Sequence, residues 1–140
     1  MELHIKKLHP DALLPTYALP GDAGMDLYAL ESISVPPGAR VLMRTGVAMA
    51  IPTEYVGLIW DKSGLSNKSG LKVLGGVIDS GYRGEVLVGI LNTGTASHTF
   101  TAGDKVAQML IQAVVQPTLV TVAELDETVR GDNAFGSTGV

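Results

Sequence analysis

An all-β domain is what this sequence predicts, and three observations carry the prediction. Seventeen glycines and seven prolines punctuate 140 residues with turns. The apolar residues fall in short runs, several with period 2. The one helical candidate, Ser63 to Lys68, holds at most about two turns. Many short strands broken by turns describe a β-sandwich, a jelly roll or a closed barrel. The length suits one domain with a real core, and 46% hydrophobic residues supply it.

Met1 to Leu8 alternates enough for an opening strand. His9 to Gly24 contains Pro10, Pro15, Pro20 and Gly21-Asp22 and reads as loop, and Met25 to Leu30 as a short strand. Pro36-Pro37-Gly38 is a sharp turn. Val41, Met43, Val47, Met49 and Ile51 then share one face, with Arg40 and Arg44 on the other, as a strand pair kinked near Gly46. Tyr55 to Trp60 and Glu85 to Leu91 read as buried strands, and Asn92-Thr93-Gly94-Thr95 as a turn. In Lys105 to Val115, Ala107, Met109, Ile111, Ala113 and Val115 face one way and Gln108 and Gln112 the other. Leu119 to Val122 is expected to be the last strand.

Composition excludes several functions. Without cysteine there are no disulfides and no thiolate ligands or nucleophiles, which fits a reducing cytoplasm. No apolar run approaches the ~20 residues of a membrane span, and the N-terminus lacks a signal-peptide apolar region. A net charge of −4 disfavours non-specific binding to nucleic acid polymers, while a small phosphate ligand with a divalent cation remains compatible. His4, His9 and His98 lack zinc spacing, and no Gly-x-Ser-x-Gly elbow occurs. Trp60 reads as a core or interface side chain.

Five segments combine special backbone with polar groups. In Ala23-Gly24-Met25-Asp26-Leu27-Tyr28 a carboxylate starts a strand beside a glycine; a solvated turn Asp is the bland reading. Asp61-Lys62-Ser63-Gly64-Leu65-Ser66 joins a cation, a hydroxyl and free backbone N–H groups at a helix start, which is good phosphate chemistry without a Walker loop. An ordinary helix start capped by Ser63 or Asp61 is its alternative. In Gly75-Gly76-Val77-Ile78-Asp79-Ser80-Gly81-Tyr82-Arg83-Gly84-Glu85, Asp79 ends a strand where a general base can be fixed, and Tyr82 offers an aromatic wall. Gln108, in Gly103-Asp104-Lys105-Val106-Ala107-Gln108, can donate to a phosphate oxygen or stand as an exposed strand residue. The fifth segment, Arg130 to Val140, joins an arginine fork, a stackable Phe135 and three glycines in a stretch that closes on a nucleotide or trails as a Gly-rich tail.

Taken in this order, the five segments resemble the five motifs of the trimeric deoxyuridine triphosphatase (dUTPase) family. Val77-Ile78-Asp79-Ser80-Gly81-Tyr82-Arg83-Gly84 and Phe135-Gly136-Ser137-Thr138-Gly139 are the most specific. The resemblance implies a distorted jelly-roll-like subunit of residues 1–123 and a C-terminal arm of residues 124–140 exchanged between subunits. It implies a homotrimer whose sites draw motifs from all three chains, and hydrolysis of dUTP to dUMP and pyrophosphate with Mg²⁺. Such an activity limits uracil in DNA and supplies dUMP for thymidylate, in a cell's cytoplasm or, for a viral chain, the host cytoplasm or nucleus.

Carried over residue by residue, Asp79 activates the attacking water, and Tyr82 packs under the deoxyribose and excludes a 2′-hydroxyl. The backbone of Leu74, Gly75, Gly76, Val77 and Ile78 reads uracil. Lys62, Ser63, Gly64 and Gln108 hold phosphates, and Asp26 orders the water shell of the metal. Arg130 reaches the γ-phosphate, Phe135 covers the uracil, and Gly136, Ser137 and Thr138 wrap the phosphates. The chain departs from the family pattern with Lys62 and Lys105 where Arg is common. Val73 stands near a usual Asn, and Asn133-Ala134 replaces two glycines. A dCTP deaminase of the same fold and a silent nucleotide-binding module are the competing readings; the C-terminal arm speaks against the first, and Asp79 with the arm against the second.

Overall fold

A computed structural model describes residues 1–133. In chain order the elements are β1 (His4–Lys7), β2 (Met25–Tyr28), β3 (Ile33–Val35), β4 (Arg40–Ala50) and β5 (Tyr55–Trp60). Then come α1 (Ser63–Ser69), β6 (Leu71–Leu74), β7 (Val77–Ile78), β8 (Glu85–Asn92), β9 (His98–Phe100) and β10 (Lys105–Ala113). Two four-stranded sheets, in the orders β1-β4-β8-β6 and β2-β10-β5-β7, and a β3-β9 ribbon make up the fold. All pairings are antiparallel. The core includes Met25, Leu27, Met43, Val47, Ile59, Val86, Val88, Ile90, Phe100 and Met109. This is the all-β, jelly-roll-type fold that the sequence leads one to expect.

Several local expectations need correction. The kinked strand pair around Gly46 is one continuous strand, β4, with its register to β8 shifted between Arg44 and Ala48. Gly46 takes φ +71°, and the Glu85 carboxylate fills the irregularity by accepting its N–H at 2.8 Å and Arg44 Nε at 3.2 Å. The apolar run at Glu85 to Leu91 buries one face only: Val86, Val88 and Ile90 point inward, and Leu87 and Leu91 remain half-buried outside. A further register shift, between Lys105 and Ala107, buries the consecutive residues Val106 and Ala107. Leu119 to Val122 is no strand: among the described residues β10 is the last, and Leu119 and Val120 are exposed.

The short strands β3, β6 and β9 carry too few alternating residues to stand out from their surroundings. The predicted turn after β8 is closed by buried Asn92. Its Nδ2 donates to the carbonyls of Val35 and Ala96, both at 2.8 Å, and its Oδ1 accepts Gly94 N–H at 2.8 Å.

Candidate active site

The second sheet carries the candidate site. In its register Gln108 on β10 stands opposite Asp26 on β2 and opposite Trp60 on β5. Cross-strand partners share a face, so the three form a row on the side away from the core residues Met25, Met109 and Ile59. Past the end of β5 the chain adds Asp61 and Lys62. Together with Lys105 they bound a groove of about 480 Å³.

Asp26 is 3% exposed, which costs a carboxylate hydration it must recover. Lys62 Nζ donates to its Oδ1, and Lys105 Nζ lies 2.6 Å from Oδ2 as an ion pair. Burial pushes the Asp26 carboxyl up, but Lys105 and Lys62 outweigh it and hold the group below the ordinary 3.8. Asp26 in turn holds the Lys105 ammonium above 10.5. Asp26 is therefore not a solvated turn residue. Sequence reasoning treated Lys105 only as a replaced Arg; its place two residues before Ala107, at the register shift, is what turns it to Asp26.

Lys62 is the N-cap of α1, with extended backbone (φ −84°, ψ 125°) and no side-chain cap. Neither Ser63 nor Asp61 caps the helix. Ser63 and Gly64 are exposed at its start, and a side chain at Gly64 would meet open space. Gln108 Nε2 donates to the Asp61 carbonyl at 2.8 Å, which leaves its second amide N–H without a partner among the described residues.

The segment Leu74-Gly75-Gly76-Val77 crosses from β6 in the first sheet to β7 in the second. Gly75 and Gly76 take φ +70° and +103°, a region side chains disfavour. Ile59 N–H donates to Gly76 O at 2.7 Å, and a Cβ at Gly76 would lie 2.7 Å from Ile59 O. This backbone lines a cleft of about 180 Å³ shared with Trp60. Trp60 is 53% exposed, so it is no core residue of the chain; it stands between the cleft and the cationic groove.

Asp79 follows Ile78, whose partner on β5 is Gly57, three residues before Trp60. At ~3.3 Å per residue that is about 10 Å along the sheet. Asp79 is exposed and opens onto a separate groove of about 950 Å³ beside Tyr55, Ser80 and Val115, which shares no residue with the cationic one. Its turn is closed by Tyr82 N–H to Asp79 O at 3.0 Å, and Arg83 Nη1 donates to Ser80 O at 2.6 Å and Tyr82 O at 2.8 Å. Tyr82 Oη donates to Glu85 O at 3.0 Å. Within the chain, then, Asp26, Lys62 and Gln108 come together, Gly75 and Gly76 lie nearby, and Asp79 and Tyr82 stand apart. Arg130 is exposed and donates to Asn133 O at 3.0 Å. Phe135, Gly136, Ser137 and Thr138 lie outside the described residues.

Comparison with known proteins gives the family. The deoxyuridine 5′-triphosphate nucleotidohydrolase of Thermobifida fusca (strain YX) is 45% identical over 99% of this chain and 79% of its own length. That of Mycolicibacterium gilvum (strain PYR-GCK) is also 45% identical, over 98% of this chain and 94% of its own. The structure of Staphylococcus bacteriophage 80alpha dUTPase with dUPNHPP superposes with a TM-score of 0.94 at 29% identity and covers 99% of both chains. A dUTPase of phage phi11 of S. aureus, described with a coordinated structural Mg(II) ion, gives 0.84 at 28% identity over 89% of this chain and 98% of its own. With the dUTPase family model matching residues 11–139 as well, the chain belongs to the dUTPase family.

Proposed function

We propose that this chain hydrolyses dUTP to dUMP and pyrophosphate, by attack of water on the α-phosphorus, in sites assembled between the subunits of a homotrimer. The observation that carries this reading is the split of two chemistries along one sheet. Lys62, Lys105 and Gln108 offer donors for phosphate in one groove, and the carboxylate of Asp79 opens onto another. One protomer does not bring both to the same phosphorus atom, and a neighbouring copy supplies the missing half.

Two apolar surfaces support the assembly. Leu42 and Leu74 are exposed on the outer face of the first sheet, in register with Gly89 between them, and Leu87 and Leu91 flank that row. Beyond β10, Val115, Leu119, Val120 and Leu125 are all exposed and lie outside any strand. That segment suits docking on another copy, which carries residues 124–140 over to a neighbouring site as an exchanged arm.

In the assembled site Asp79 orients the water and takes its proton. Tyr82 floors the deoxyribose and leaves no room for a 2′-hydroxyl. The main chain of Leu74, Gly75, Gly76, Val77 and Ile78 reads the uracil edge. Lys62, Ser63, Gly64 and the second amide N–H of Gln108 hold phosphate oxygens, and Arg130, Phe135, Gly136, Ser137 and Thr138 close over the nucleotide. Such a site works by positioning and charge neutralisation, which is what phosphoryl chemistry demands.

The donor set decides how Mg²⁺ fits. Among the described residues no three His, Asp or Glu side chains converge as a cation cage, and buried Asp26 already faces two ammoniums. That suits an ion carried in on the triphosphate with most of its waters, and not an ion held by the protein alone. When bound, Mg²⁺ supplies neutralisation of the phosphate oxygens. The deciding experiment compares pyrophosphate release from dUTP, dTTP, dCTP and UTP; strong preference for dUTP is expected, and conversion of dCTP to a uracil nucleotide would overturn the reading.

A further inference from the structure

We propose that Asp61 is a positioning residue that sets the geometry of the base-reading segment 74–77, an inference that rests on the functional reading above. As the residue before the Lys62 N-cap, Asp61 could have turned its carboxylate to the first turn of α1. It does not: α1 has no side-chain cap and no acidic residue in its first turn. Instead Asp61 Oδ1 accepts Val73 N–H at 2.6 Å, and Oδ2 pairs with Lys72 Nζ. The side chain is 18% exposed, so the bond to Val73 is shielded from competing water.

The topology makes this bond consequential. β6 is the edge strand of the first sheet, paired to β8 on one side only. An edge N–H needs an acceptor, and Asp61, from the end of β5 in the second sheet, provides it. The bond therefore ties the two sheets together immediately before the chain crosses between them. At the far end of the crossing, Ile59 N–H holds Gly76 O at 2.7 Å. Ile59 and Asp61 thus grip the segment at Gly76 and Val73, with Leu74 and Gly75 spanning the interval. The main-chain groups proposed to read uracil project from that span. Through its carbonyl the same residue fixes Gln108 Nε2, and its chain neighbour is Lys62. Base reading and phosphate holding share one anchor.

The test compares Asp61→Ala, Asp61→Asn and Lys72→Ala. Asn keeps an oxygen acceptor for Val73 N–H and loses the ion pair; Lys72→Ala loses only the ion pair, at a side chain that is 54% exposed. Asp61→Ala is expected to lower kcat/KM for dUTP about tenfold, mainly through KM, and to narrow the ratio of dUTP to dCTP turnover. Asp61→Asn restores most of that ratio, and Lys72→Ala leaves it at the wild-type value. A merely structural role would lower the melting temperature of Asp61→Ala without moving the ratio. That outcome, or an Asn variant as impaired as the Ala variant, overturns the inference while wild-type dUTP turnover stands. A wild type that fails to release pyrophosphate from dUTP overturns the functional reading itself, and the inference with it.

Discussion

Asp26 and Lys62 form an ion pair that joins the start of β2 to the entry of α1, across 36 residues of sequence. With Lys105 on the second carboxylate oxygen, the pair fixes both cations of the groove around one buried anion. Asp26→Asn removes the charge and keeps the shape. A hydrogen bond to a charged group contributes ~1.5–3 kcal/mol, and Lys62, which donates the one to Asp26, is 28% exposed, which discounts that through solvent screening. A loss of about 1–2 kcal/mol and a few degrees in Tm is expected in thermal unfolding.

The same cluster sets a pH dependence. The folded carboxyl of Asp26 lies below 3.8, so its stabilisation is fully present above that value and is lost as pH falls through the folded pKa. The folded Lys105 ammonium lies above 10.5, so its stabilisation is present below that value and is lost as pH rises through the folded pKa. The Tm difference between wild type and Asp26→Asn stays constant through the neutral range and shrinks only at the two extremes. Melting curves across pH check this; a difference that vanishes near pH 6 contradicts it.

Gly76→Ala should damage the segment proposed to read the base. At φ +103° an alanine is strained, and its Cβ would meet the Ile59 carbonyl at 2.7 Å, backbone that cannot rotate away. A cost of roughly 2 kcal/mol or more is expected, with weakened dUMP binding by calorimetry. Wild-type affinity in this variant would remove the segment from the site.

Much of this was legible in the sequence. The long strands β4, β5, β8 and β10 announce themselves because alternation or apolar runs persist over six or more residues. Asp26, Lys62, Gln108 and Asp79 stand out as candidates because glycines and turns flag the backbone around them. What sequence could not supply is the partner each group finds. Asp61 looks like a helix cap because capping is a local rule, and its real acceptor duty to Val73 depends on how two sheets meet. Trp60 looks buried because its run is apolar, yet the sheet turns that face outward. Leu119 to Val122 looks like a strand because its residues favour one, but among the described residues no strand pairs with it.

Tyr82→Ala is expected to relax sugar discrimination more than base discrimination. The ring is 43% exposed and held through its hydroxyl to Glu85 O at 3.0 Å, so it presents a fixed wall whose removal leaves the backbone proposed to read uracil in place. Comparison of kcat/KM for dUTP, UTP and dCTP should show the dUTP/UTP ratio falling and the dUTP/dCTP ratio surviving. The opposite pattern would assign Tyr82 to base reading.

Sites shared between subunits are the central claim, and mixing two crippled variants tests it most directly. Asp79→Asn leaves an exposed side chain's fold intact, since the turn is closed by the Asp79 carbonyl, and should cost ~10²–10⁴-fold in turnover. Lys62→Ala removes a phosphate donor from the other groove. Unfolded together in equal amounts and refolded, the two should regain activity. In a random trimer about one quarter of the sites combine an intact Asp79 from one subunit with an intact Lys62 from another. Pyrophosphate release from dUTP near a quarter of the wild-type rate is the predicted result. A mixture no more active than the mean of its two parts would contradict the account, because each site would then lie within a single chain.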